Sequence, residues 1–137
     1  MRASDTEMDT ILKMETMPEG VVFEVVSGNE DYLKTALDKF DTYQEQLKEK
    51  FPNIKLAIVT HGSEQFALTK NNKEKFAATH LKVQKISNDD VPVHICETHA
   101  SWRDVSASDF PDYVDVSATG PSQIRAYQGL GYILVIL

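Results

Sequence analysis

The chain contains a single cysteine, and the residue types around it are suited to thiol chemistry. Cys96 ends the apolar stretch Val91–Cys96, and the imidazole of His99 follows three residues later. A second imidazole, His61, follows an earlier apolar run. A thiol reacts as its thiolate, which a nearby base or positive charge stabilises. The sequence therefore indicates Cys96 as a candidate nucleophile, with His61 and His99 as candidate catalytic partners.

Other residues near Cys96 act on the thiol in opposite directions. A short helix beginning after the strand would present the backbone N–H groups of Thr98, Ala100 and Ser101, which favour a thiolate. Arg103 would add positive charge, whereas the carboxylate of Glu97 would disfavour the thiolate. Unpaired cysteines are also among the most buried residue types. Two interpretations of Cys96 thus stay open, a reactive thiol and a small buried residue at a strand end.

Strands and helices alternate along the chain. Apolar and β-branched runs bounded by turn residues predict strands, and apolar residues at three- and four-residue spacing predict helices. The predicted strands are Val21–Val26, Ile54–Thr60, Val91–Cys96, Tyr113–Val116 and Tyr132–Leu137. The predicted helices are Tyr32–Leu47, Glu64–Leu68, Lys73–Ile86, Thr98–Val105 and Gln123–Leu130.

This alternation predicts a three-layer α/β/α domain with a five-stranded parallel sheet. The domain is expected over residues 19–137, preceded by an N-terminal arm over residues 1–18 that is loosely ordered or a short helix. In a parallel sheet the carboxyl ends of all strands lie at one edge, where ligands bind. If the second and third strands are neighbours, His61 and Cys96 meet at that edge.

Three more side chains are placed by the same pattern. His94 alternates with Cys96 along its strand, so it is expected on the same face, packed under a helix. His80 is predicted on a helix surface and is assigned no role. Trp102 is predicted to be a core or interface residue, or a wall of the cysteine site.

Three segments together resemble a known family. They are Ile58–Gly62 after the second strand, Cys96 at the end of the third, and the tail Ile124–Tyr132. In this order and spacing they are similar to DsrE/DsrF-like proteins, which include the YchN-like proteins, over Val21–Leu137. The stretch Glu97–Arg103 differs from the arginine- and glycine-containing helix of the sulfur-relay members, and it looks closer to the uncharacterised single-subunit branch.

The resemblance implies a function as well as a fold. It implies a parallel five-stranded α/β fold with adjacent second and third strands, assembly as a trimer or hexamer, and sulfur held on the family cysteine as a persulfide. Carried over to this chain, that role falls on Cys96. We therefore expect a sulfur carrier or sulfurtransferase-like protein with sulfur donor and acceptor proteins as partners.

Two alternatives use the same residues differently. The first is a non-catalytic oligomeric binding module in which Cys96 is merely buried. The second is a zinc or copper protein with Cys96, His99 and His61 as ligands, which are soft and borderline donors. The residues after the first strand lack both the glycine-rich dinucleotide motif and the P-loop lysine, so no nucleotide cofactor is expected.

Composition limits the remaining classes of function. A formal net charge of −7 argues against a nucleic-acid surface, and no apolar run approaches the about 20 residues that span a bilayer. A single cysteine allows no internal disulfide. The first residues lack the apolar core of a signal peptide, so we expect a cytoplasmic protein, or a periplasmic one if a leader has been removed. Sparse charge on the last helix favours a homo-oligomer.

Overall fold

The computed structural model describes residues 3–137, and its centre is a five-stranded sheet. The strands are β1 (Gly20–Val25), β2 (Leu56–Thr60), β3 (Val93–Cys96), β4 (Asp115–Ser117) and β5 (Tyr132–Ile136). Their order across the sheet is β4-β3-β2-β1-β5, and every neighbouring pair is parallel. The predicted five-stranded parallel sheet is thereby confirmed, and so is the adjacency of β2 and β3.

Helices connect the strands and lie on both faces of the sheet. They are α1 (Ala3–Leu12), α2 (Tyr32–Lys50), α3 (Ala77–Asn88), α4 (Glu97–Ser101) and α5 (Gly120–Gly129). Short 3₁₀ turns cover Ser63–Leu68, Lys70–Asn72 and Ala107–Asp109. Most elements lie within a few residues of the predicted bounds. One shift is in α3, which begins at Ala77 rather than Lys73, because residues 73–76 form a turn after the 3₁₀ turn Lys70–Asn72.

The sheet has a large core on one face and a small one on the other. The large core lies under α1, α2 and α3, and the edge of the Phe40 ring meets the Phe23 ring with the centroids 5.1 Å apart. The small core contains Val22, Val59 and Ile124 and lies under α5. Successive side chains of a strand point to opposite faces, so β1, β2 and β5 contribute to both cores. This is the predicted three-layer arrangement.

The start of the described chain packs on the domain. The N-terminal arm was expected to be loosely ordered or a short helix, and the structure shows the helix α1. This helix contacts α2 and β5 and buries Met8 and Ile11. The hydroxyls of Ser4 and Tyr43 are 2.8 Å apart and join α1 to α2. Met1 and Arg2, the first residues of the predicted arm, lie outside the described residues. No helix within residues 3–137 is both long and apolar enough to cross a membrane.

Candidate functional site

The candidate site lies at the edge of the sheet where β1, β2 and β3 end. Thr60 pairs with Ile95 in the β2–β3 ladder, so His61 and Cys96 follow as the next residues of two neighbouring strands. Parallel neighbours are about 4.8 Å apart, and residues at the same level share a face. Ser117 of β4 pairs with Cys96 on the other side. The structure thus places His61 and Cys96 at the ends of neighbouring strands on the carboxyl edge of the sheet.

Cys96 is nearly enclosed and its sulfur accepts one backbone hydrogen bond. The residue is 5% exposed and is the N-cap of α4. The backbone N–H of His99 donates to Cys96 Sγ over 3.4 Å. The N–H of Thr98, one of those expected at the sulfur, donates instead to the carbonyl of Ala118 over 3.1 Å. The expectation for Thr98 was wrong, because its N–H is hydrogen-bonded to the carbonyl of Ala118 in the loop before α5.

The imidazole of His99 is oriented by a backbone carbonyl. His99 Nδ1 lies 2.8 Å from the carbonyl oxygen of His61. A carbonyl only accepts, so Nδ1 carries a hydrogen and a neutral ring keeps its lone pair on Nε2. Within the described part of the chain, Nε2 makes no hydrogen bond. The His99 ring is therefore not bonded to the sulfur, and its backbone N–H makes the contact with Cys96.

The imidazole of His61 is held by a carboxylate that the sequence analysis did not identify. His61 Nε2 lies 2.7 Å from Glu24 Oε2, and the two side chains are only 14% and 18% exposed. A β-carbon added to Gly120 would lie 2.4 Å from His61 Cβ, so the first residue of α5 must be glycine for His61 to fit. Glu24 is the only charged residue of β1, and a single carboxylate in an otherwise apolar strand was the sequence signal that could have identified it.

Two buried polar residues after β2 tie the strand ends together. The first, Glu64, is fully buried. Its Oε2 accepts hydrogen bonds from the Thr60 hydroxyl at 2.6 Å and the Gly62 N–H at 2.8 Å, and its Oε1 accepts from the Ser27 N–H. Burial raises the pKa of the Glu64 carboxyl, and the hydrogen bonds from Thr60, Gly62 and Ser27 oppose that rise. Glu64 thereby joins the loops that follow β1 and β2.

The second, Gln65, holds the backbone of Cys96 itself. Its Oε1 accepts from the Cys96 N–H over 2.8 Å, and its Nε2 donates to the Cys96 carbonyl over 3.2 Å. Gln65 is fully buried. Its side-chain amide satisfies both backbone groups of Cys96, so the main chain that carries the thiol is fixed. Polar residues inside an otherwise apolar turn were the sequence signal for both Glu64 and Gln65.

A cation from the segment after α4 spans the gap between the ends of β2 and β3. Arg103 Nη2 donates to the Ser63 hydroxyl over 3.0 Å, and the guanidinium lies 4.3 Å from the centroid of the Phe66 ring. The Phe66 ring in turn meets the His99 ring at 5.5 Å. The nearest carboxylate oxygen to Arg103 Nη1 is Oε1 of Glu30, at 3.9 Å. The predicted positive charge of Arg103 thus lies on the Phe66 ring, which in turn contacts the His99 ring.

His94 lies behind the thiol, as predicted, in a chain of hydrogen bonds under α5. Its Nε2 is 2.6 Å from the Tyr127 hydroxyl and its Nδ1 is 3.1 Å from the Ser117 hydroxyl. Ser117 donates to Gln123 Oε1, so it accepts from His94 Nδ1–H, and Tyr127 donates to Nε2. Burial lowers the His94 pKa, and the charge of Asp115 opposes that change.

The expectation for His80 was wrong, and of those for Trp102 the core position is excluded. His80 is not on a helix surface: it is 2% exposed, and its Nε2 lies 2.9 Å from the Ala67 carbonyl while its Nδ1 meets the Tyr113 hydroxyl. Burial lowers the His80 pKa. Trp102 is not a core residue, since it is 75% exposed, but its ring lies 5.4 Å from the His99 ring and so forms part of the wall of the site.

The metal alternative is not supported by the arrangement of the side chains. Among residues 3–137, no group of three or more His, Cys, Asp and Glu side chains is placed to hold a metal ion. His61 Nε2 faces Glu24, and His99 Nδ1 faces a carbonyl, so Cys96, His61 and His99 do not converge on one point. The three residues do not form the zinc or copper site considered from the sequence.

Comparison with solved structures identifies the class of fold. MTH1491 from Methanobacterium thermoautotrophicum, a protein of unknown function, matches with a TM-score of 0.68 and 15% identity over 85% of this chain and 97% of that chain. YchN from E. coli matches with a TM-score of 0.58 and 16% identity over 86% and 99%. BT1422 from Bacteroides thetaiotaomicron, a conserved protein of unknown function, matches with a TM-score of 0.61 and 11% identity over 87% and 95%.

The chain therefore has the DsrE-like α/β fold, the fold of YchN. At these identities the likeness concerns the fold and does not place the chain in a branch of the family. No family model matches the chain, and no curated protein shows significant similarity to it.

Proposed function

We propose that this protein is a sulfur carrier of the sulfurtransferase type that holds a persulfide on Cys96. The observation that carries the proposal is the hydrogen bond from the His99 N–H to Cys96 Sγ at the carboxyl edge of the sheet. A hydrogen bond to sulfur favours the charged form of a thiol or persulfide. The DsrE-like fold of the chain is consistent with the sulfur chemistry that the sequence resemblance implies.

The transfer step follows from the chemistry of a single thiol. The Cys96 thiolate attacks the outer sulfur of a donor persulfide, R–S–SH. A new S–S bond forms at Cys96, the donor S–S bond breaks, and the donor leaves as R–S⁻. An acceptor thiolate then takes the outer sulfur in the same way and regenerates the Cys96 thiolate. With one cysteine in the chain, delivery cannot proceed through an internal disulfide.

Each of the other site residues has a proposed part in this step. The backbone N–H of His99 holds the sulfur and stabilises its anion. His61 presents the carbonyl that orients the His99 ring, and Glu24 fixes His61. The three predicted residues Cys96, His61 and His99 thus form one connected unit in which Cys96 is the nucleophile.

We further propose that the protein works as a homo-oligomer, a trimer or hexamer by resemblance to the family. On the side of the sheet that α5 covers only in part, Leu130 is 66% exposed and Ile136 is 46% exposed. Exposed large apolar side chains beside a partly covered sheet face offer a surface that a second copy could bury. Light scattering on the protein as it elutes from a size-exclusion column measures its oligomeric state and tests this proposal. A monomer at micromolar concentration contradicts it, whereas a trimer or hexamer that a Leu130→Asp variant dissociates supports it.

Loading of sulfur onto the native protein tests the carrier function. Protein incubated with glutathione persulfide and desalted should gain one sulfur atom by intact mass, and peptide mapping should place it on Cys96. The Cys96→Ser variant is the matched control and should gain none. The non-catalytic binding module is favoured instead if native Cys96 resists both sulfur transfer and iodoacetamide until the protein is denatured.

A further inference from the structure

We infer that Arg103 is an anion-recognition residue that directs small anionic sulfane donors to Cys96. This inference rests on the proposed function, because it names the class of donor that the same thiol accepts. The class comprises anions with a transferable outer sulfur, such as thiosulfate or a carboxylate-bearing persulfide.

Arg103 lies on the rim of the candidate site and is only partly used by the protein. Its guanidinium rests on the face of Phe66 and donates to Ser63, the first residue after the turn that ends β2. Its side chain is 47% exposed. A guanidinium has five N–H donors in a planar fork that suits two oxygens of an anion. Within residues 3–137 only the bond to Ser63 uses these donors, so the rest are available to a ligand.

Glu30 does not neutralise Arg103 in a tight pair. Arg103 Nη1 and Glu30 Oε1 are 3.9 Å apart, longer than a charge-assisted hydrogen bond. The other charged groups at this edge are engaged or point outward, since Glu24 is paired with His61 and Glu97 is exposed. The chain has a formal net charge of −7, so an anionic donor needs a local positive charge at the site. Arg103 supplies that charge. An incoming anion replaces Glu30 at the guanidinium.

The path from the cation to the sulfur is continuous. The Phe66 ring carries the guanidinium on its face and meets the His99 ring, and the His99 N–H holds Cys96 Sγ. An anion held by Arg103 at the rim is therefore one ring, that of Phe66, away from the residue that bonds the thiol. With thiosulfate, the Cys96 thiolate attacks the outer sulfur, the S–S bond of thiosulfate breaks, and sulfite leaves with the electron pair. Charge and atoms balance: the products are the Cys96 persulfide anion and sulfite.

A pair of alkylating reagents measures anion recognition without relying on persulfide chemistry. Iodoacetate and iodoacetamide alkylate the same thiolate and differ mainly in charge. The ratio of the iodoacetate rate to the iodoacetamide rate is therefore insensitive to changes in the thiolate fraction and in access to Cys96. In Arg103→Ala this ratio should fall about three- to tenfold at low salt, as expected for removing one partly screened cation near the site. Arg103→Lys, which keeps the charge, should retain most of the wild-type ratio.

Two further variants serve as controls. Arg125→Ala removes the same charge from the exposed surface of α5, where Arg125 contacts Ser122 at 3.3 Å, and it should leave the ratio unchanged. Glu30→Gln removes the carboxylate nearest to Arg103 and should raise the ratio. An unchanged iodoacetate-to-iodoacetamide ratio in Arg103→Ala, or an equal fall in Arg125→Ala, overturns the inference.

Loading with sulfane donors separates this inference from the proposed function. Thiosulfate and glutathione persulfide are compared as donors for wild type and Arg103→Ala, with persulfide on Cys96 read by intact mass. If Arg103→Ala loads more slowly than wild type with each of the two donors, Arg103 recognises anionic donors in general. If loading slows with only one donor, that donor is the one Arg103 recognises. If the alkylation ratio falls in Arg103→Ala but neither donor loads wild type, the anion site stands and the sulfur-carrier function fails.

Discussion

Replacing Gln65 by leucine should weaken the fold at the point that positions the thiol. Leucine is similar in size but cannot hydrogen-bond, so the buried N–H of Cys96 loses its partner. The carbonyl of Cys96 loses the bond from Gln65 and keeps the first helical hydrogen bond of α4, whose N-cap is Cys96. An unsatisfied buried backbone group costs about 1–3 kcal/mol, so the free energy of unfolding should fall by about 1–3 kcal/mol. That is a large share of the about 5–15 kcal/mol typical of a domain.

Urea unfolding at constant pH measures this change. With a urea m-value of about 1–3 kcal/mol/M, the midpoint should fall by about 1–2 M at an unchanged m. Gln84→Leu is the matched control, because Gln84 is exposed on α3 and the same substitution there should change stability by no more than about 0.5 kcal/mol. If Gln65→Leu is as stable as Gln84→Leu, Gln65 does not satisfy the Cys96 backbone and the argument for a fixed thiol is wrong.

Further predictions concern the packing and protonation of the buried histidines. Gly120→Ala should lower stability by about 1–3 kcal/mol, because the new methyl group overlaps His61, and thermal unfolding will show a lower midpoint. Tyr127→Phe should cost about 1–2 kcal/mol in urea, since it removes the hydroxyl that donates to His94. Burial lowers the pKa of both His80 and His94, so the unfolded chain binds more protons below about 6.5, and stability should fall as pH drops from that value. Urea midpoints measured from pH 8 to pH 5 check this, and a His94→Gln variant that loses no pH dependence would contradict the assignment.

The outline of the fold was readable from the sequence because it depends on local patterns. β-Branched runs bounded by glycine and asparagine identified β1 and β2, and the alternation with helices indicated a parallel sheet. The position of Cys96 at a strand end followed from the same pattern. The adjacency of β2 and β3, and with it the meeting of His61 and Cys96, came from the family resemblance rather than from the residue pattern.

The contacts that define the site were not readable, because they join residues that are far apart in the sequence. Gln65 meets Cys96 and Glu24 meets His61 across more than thirty residues, with separations of 31 and 37. The spacing of apolar residues along the chain does not indicate contacts between residues so far apart. His80 is different: Thr79, His80, Val83 and Ile86 are all buried on α3, and the three-residue spacing from His80 to Ile86 was a signal that the surface assignment overlooked.

Trp102 shows the effect of a helix that ends early. The sequence predicted a helix from Thr98 through Val105, but α4 ends at Ser101 and the chain turns, with Asp104 at a φ of 57°. The ring is left exposed beside His99. Helix ends depend on tertiary contacts that single residues do not encode.

A single-turnover transfer cycle on the native protein tests the central claim most directly. The protein is loaded with isotope-labelled sulfane sulfur, freed of donor, and mixed with an acceptor thiol, while intact mass is followed over time. The sulfur-carrier account predicts that one labelled sulfur appears on Cys96, that it passes to the acceptor, and that the protein returns to its starting mass without unfolding. A native protein whose Cys96 takes up no sulfur, or takes it up and cannot release it to any thiol, contradicts the account.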